Sequence, residues 1–72
     1  MIVNERIKSY LKDPALYETI VVIDGNRYSC HAYADGGDIQ SAEDISLNYL
    51  CVTYDLKERR IESVATRNVP IP

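Results

Sequence analysis

Tryptophan and phenylalanine are absent from this 72-residue chain and methionine occurs once. Six tyrosines therefore supply all of its aromatic area. A tyrosine ring is apolar but its hydroxyl needs a partner, so several of the six are expected at the rim of the core or at a contact surface. Cysteine is almost as scarce. Cys30 and Cys51 are too few for a disulfide scaffold and are expected as reduced, buried thiols. No apolar run is longer than Ile20–Ile23, far short of the roughly 20 residues that a membrane-spanning helix needs. No charged-then-apolar leader opens the chain, which sets the expectation of a soluble, cytoplasmic protein without a membrane partner.

Basic residues are also few. Eight lysines and arginines face eleven carboxylates, for a formal charge of −3, and between Pro14 and Leu56 the only lysine or arginine is Arg27. Binding to DNA or RNA draws on counterion release along a basic stripe, and none is present. The C-terminal bases Lys57, Arg59, Arg60 and Arg67 are interleaved with Glu58 and Glu62. Nucleic acid is thus not an expected partner. What remains is an ordinary globular composition, 46% apolar and 26% charged. Residues 1–72 are expected to form one small domain, since a chain this short buries only about 60% of its unfolded surface.

The strongest local signal is a hairpin from Tyr17 to Ala34. A run rich in β-branched and aromatic residues, Tyr17–Ile23, leads into Asp24-Gly25, a dipeptide suited to a two-residue turn, and a second run starts at Arg27. With that turn, Thr19, Val21 and Ile23 share a face with Tyr28, Cys30 and Ala32, and Glu18 lies opposite His31. One more loop residue would set Val21 and Ile23 beside Arg27, Ser29 and His31, so the apolar pattern itself selects the register.

Upstream, Val3, Ile7, Tyr10 and Leu11 fall at helical spacing, and Asn4 is placed to cap a helix that Pro14 would close. Downstream, Asp35-Gly36-Gly37-Asp38 reads as a turn opening the chain's most acidic stretch, which runs to Asp44 with at most one helical turn from Ser41. Residues 46–56 alternate Leu50, Val52, Tyr54 and Leu56 with Leu47, Tyr49, Cys51 and Thr53, which reads as a third strand. Lys57–Arg60 reads as a charged loop returning into a fourth strand, residues 61–66, with Ile61 near Tyr54. The predicted fold is α+β: a short N-terminal helix packed on one face of a four-stranded antiparallel sheet, its two hairpins joined by the acidic loop.

Chemistry-bearing patterns are sparse. Cys30, His31 and Cys51 are the only grouping that suggests a thiol nucleophile or a zinc site. Adjacent strand residues point to opposite faces, so Cys30 and His31 do not converge, and no further ligand completes a tetrahedron. The acidic loop lacks the alternating oxygens and closing glutamate of a calcium loop, with Gly37 in the third position. Asp35-Gly36-Gly37-Asp38 has neither the lysine nor the ensuing helix of a phosphate loop. No catalytic residue, metal or cofactor is predicted.

The features above background are the tyrosines and the acids. Tyr17, Tyr33 and Tyr49, placed at the ends or second face of the sheet, and Asp35, Asp38, Glu43 and Asp44 form the predicted contact surface. They suit a protein partner with a basic groove, approached under electrostatic steering. The expected function is that of a non-catalytic interaction module, of the kind exemplified by small acidic inhibitors, antitoxins and phage or other mobile-element proteins. The alternative is a structural or regulatory homo-oligomer, a homodimer in its simplest form, assembled through a strand edge or the Tyr49 face. A thiol- or zinc-dependent protein ranks last.

Overall fold

Asp24 and Gly25 both take positive φ, 51° and 77°. That pair is the mark of a type I′ turn, whose twist matches the strands it joins. In the computed structural model, which describes residues 1–72, the turn joins β1 (Pro14–Ile23) to β2 (Asn26–Asp35). Ile23 faces Asn26, Val21 faces Tyr28 and Glu18 faces His31, the register expected from the apolar pattern. Thr19, Val21, Ile23, Cys30 and Ala32 are all buried on one face.

The second half of the chain departs from expectation. Residues 39–53 form a single helix, α1 (Ile39–Thr53), where a loop and a third strand were predicted. Its N-terminus is set by Asp38, whose carboxylate accepts from the Ser41 N–H at 3.3 Å and from the Ser41 hydroxyl at 2.7 Å. Ala42, Ser46 and Leu50, spaced four apart, are its buried residues and face the sheet. The helix stops where Asp55 turns left-handed at φ 55°. There the Leu56 N–H donates to the Cys51 carbonyl at 2.9 Å, and Leu56 folds into the core. The expected single face of Leu50, Val52, Tyr54 and Leu56 is therefore split. Leu50 and Leu56 are buried, while Val52 and Tyr54 are exposed.

The last strand, β3 (Ile61–Val69), pairs antiparallel with β1, giving a three-stranded sheet of order β2-β1-β3 rather than one of four strands. Ile61 lies opposite Ile23, not Tyr54, and Glu62 is an extra residue bulged out between the pairs Ser63–Val22 and Ile61–Ile23. Both outer strands run antiparallel to β1, so α1 is the crossover that carries the chain from one edge of the sheet to the other.

The N-terminal stretch is a 3₁₀ segment, Glu5–Tyr10, in place of the longer α-helix. Asn4 makes no side-chain cap. Its amide instead pairs with the Tyr33 backbone in both directions, Nδ2 to the carbonyl at 2.8 Å and Oδ1 from the N–H at 2.7 Å. That is the pattern an adjoining strand would offer. Lys8 sits 5.4 Å from the centre of the Tyr33 ring. Tyr33 belongs to the sheet face opposite α1, since it alternates with Ala32 and Ala34, so the segment lies on that second face. Two buried clusters lie between α1 and the sheet. Val21, Ile23, Cys30, Leu50 and Leu56 make one, and Tyr17, Ala32, Ala34 and Ala42 the other. No helix is long and apolar enough to cross a membrane.

Candidate functional site

The four acids cluster around the start of α1, each bonded to its own chain. The Asp35 carboxylate accepts from the Asp13 N–H at 2.8 Å, Asp38 caps α1, Asp44 accepts from the Gln40 amide at 2.8 Å, and Glu43 accepts from the Thr66 hydroxyl at 2.7 Å. A Cβ at Gly36 would fall 2.6 Å from the Asp13 carboxylate, which would have to swing aside. None of the four acids has a cation within ion-pair distance, because the salt bridges of the molecule fall on Glu18 and Asp24. These carboxylates therefore keep their negative field while serving as caps and braces.

The tyrosines divide differently from expectation. Tyr17 and Tyr33 are buried, at 4% and 1% exposure, and offer no area to a partner. The ring of Tyr17 reaches the core because its hydroxyl finds a donor in the Gly37 N–H, 2.9 Å away. Tyr33 is covered by the 3₁₀ segment. Tyr49 is half-buried on α1, and its hydroxyl donates to the Met1 sulfur at 3.0 Å. The solvent-facing rings are instead Tyr10 and Tyr54, 86% and 55% exposed.

Around Tyr49 the surface is concave. Residues 1–3 run beside β2, held by the bonds from the His31 N–H to the Met1 carbonyl (2.7 Å) and from the Val3 N–H to the His31 carbonyl (2.8 Å). Between this segment and the flank of α1 lies an open groove of about 410 Å³, lined by Val3, Ile45, Asn48, Tyr49, Val52 and Thr53. Ile45, Tyr49 and Val52 stand at i, i+4 and i+7, so they form one stripe along the helix, and Val52 is 60% exposed. The acidic cap lies at the N-terminal end of the same helix. Of the groove residues only Tyr49 was singled out from the sequence. Reading residues 46–56 as a strand placed Val52 and Tyr49 on opposite faces, whereas helical spacing from Ile45 joins them.

Cys30, His31 and Cys51 are not brought together. Cys30 lies in the core under α1. His31 points to the other face, with Nε2 3.6 Å from Glu18, and the thiol of Cys51 is free and half-buried. Glu18 also accepts from Arg67 Nε at 2.9 Å, so one rung of the sheet sets an acid between two nitrogen bases. The buried hydroxyl of Ser46 has no partner. The chain matches no family model, no curated protein and no solved structure.

Proposed function

We propose that this protein is a non-catalytic interaction module that seats on a basic surface of another protein. The observation that supports it most is an apolar groove along α1, the helix on or just before which lie four carboxylates without cationic partners. A partner segment with an apolar side chain and nearby lysines or arginines complements both. The side chain enters beside Tyr49 and Val52, and the bases meet Asp38 and Asp44 at the start of the helix. An anchor seated in a groove within a polar rim is how small interfaces concentrate their binding energy, and the uncompensated acids speed the encounter. The mode of action is occupation of the partner's surface, as a small acidic inhibitor acts.

Affinity capture from the native host, with the intact chain as bait, tests the reading. A captured protein is expected to be released by raised salt. It is also expected to be lost with Val52→Asp, and weakened when Asp35, Asp38, Glu43 and Asp44 are all changed to Asn or Gln. Those amides keep an oxygen acceptor for each bond and remove only the charge. Capture that is indifferent to both salt and Val52→Asp would remove the groove and its acids from the account.

A further inference from the structure

The two edges of the sheet are finished differently. The outer edge of β2 is occupied by the chain itself: His31 exchanges backbone bonds with Met1 and Val3, and Tyr33 with the Asn4 side chain. The outer edge of β3 has no strand beside it along its nine residues. Exposed edges of this length are usually guarded by charged side chains that project past them. Here the long polar side chains of β3 turn back into their own molecule. Glu62 accepts from the Gly25 N–H at 2.9 Å, Thr66 is bonded to Thr19 and Glu43, Arg67 to Glu18, and the Asn68 amide donates to the Leu16 carbonyl at 3.1 Å. Between them Ser63 and Ala65 are exposed, Val64 packs on the core, and Arg67 keeps most of its side chain in solvent.

From this we infer that β3 is a self-pairing edge, which joins antiparallel to β3 of a second copy about a twofold axis at Ala65. An axis at Ala65 pairs residues 63–67 with their symmetry mates, clear of the Glu62 bulge. A twofold normal to the sheet keeps each residue on its own face, so residues whose numbers differ by an even count are opposed. Ala65 then faces Ala65, Val64 faces Thr66, and Ser63 faces Arg67, with no like charges opposed. The arrangement works whichever alternate set of β3 amides points outward, because a twofold can pass through either kind of antiparallel pair. The product is one continuous six-stranded sheet with both helices on the same side. The groove beside Tyr49 lies by the capped edge, so this contact and the proposed partner site are independent.

Sedimentation velocity on the intact chain reads the result directly. The wild type is expected to pass from monomer to dimer below about 1 mM. Ala65→Lys and Ala65→Glu each place two like charges across the axis and are expected to raise the dissociation constant at least about tenfold, because opposed like charges at an interface are strongly unfavourable. Mixing the two variants should restore a one-to-one dimer, and Ala65→Ser should behave as wild type. Amide exchange on the unmodified chain is a second reading that needs no variant: alternate amides of β3 should gain protection as concentration rises. A wild type that stays monomeric throughout, an Ala65→Lys chain that dimerises as tightly as wild type, or β3 amides indifferent to concentration would each overturn the inference.

Discussion

Ser46 occupies the centre of the buried face of α1, fully inaccessible, with its hydroxyl unpaired. Its value to the fold is its size, since Ala42 and Ser46 let the helix settle close over β2, where Cys30 lies 3.9 Å from the Ser46 carbonyl. Alanine supplies the same close approach without an unpaired polar atom and has higher helix propensity. Ser46→Ala is therefore expected to raise stability by about 1 kcal/mol, read as a higher urea midpoint at unchanged slope. A lower midpoint would show that the hydroxyl has a partner in solution. Residue-level chemistry was legible in the sequence where it is local. Asp24-Gly25 names its own turn, and adjacency in a strand separates Cys30 from His31 without coordinates. The burial of Tyr17 and Tyr33 was not legible, because it depends on two remote segments, Gly37 as a donor to one hydroxyl and Asn4 with Lys8 over the other ring.

Among the elements, β1 and β2 were readable because one register alone sets Val21, Ile23, Tyr28 and Cys30 on one face. Residues 46–56 satisfy two periods. Leu50, Val52 and Tyr54 alternate like a strand, while Leu47, Leu50 and Cys51 repeat like a helix. The arbiter was upstream, in Asp38 with Ser41 three residues on, a capping pair that commits the chain to helix before the ambiguous stretch begins. The N-terminal segment erred in the opposite direction. Val3, Ile7 and Leu11 do form a half-buried stripe, but Asn4 spends its amide on the backbone of β2, so the segment closes a sheet edge and remains a short 3₁₀ turn. Removing that amide should reveal the difference in role. Asn4→Ala is expected to destabilise the fold by about 1–2 kcal/mol and to speed exchange at the Tyr33 amide far more than at Val21. An unchanged Tyr33 amide would mean that Asn4 is a surface residue without a structural part.

At the scale of the whole molecule, only 13 of 72 residues are buried, and between α1 and the sheet the apolar ones form two clusters toward opposite ends of the hairpin. The clusters are not separate units, because β1 contributes to both, Val21 and Ile23 to one and Tyr17 to the other, and α1 spans them from Ala42 to Leu50. Loss of packing at either end is therefore expected to reach the other. Leu50 is the largest helical side chain fully enclosed in the end near the turn. Leu50→Ala removes contacts with Val21, Ile23 and Leu56 and should cost about 2–5 kcal/mol. A domain of this size has only about 5–10 kcal/mol in total, so the variant is expected to sit near its midpoint in mild denaturant. Its melt, followed by helix ellipticity and by tyrosine fluorescence, should give one coincident transition with the wild-type urea slope. Two separated transitions, with the Tyr17 end outlasting the Leu50 end, would show that β1 and α1 do not couple the halves. The groove beside Tyr49 and the β3 edge would then rest on a scaffold able to open one end at a time.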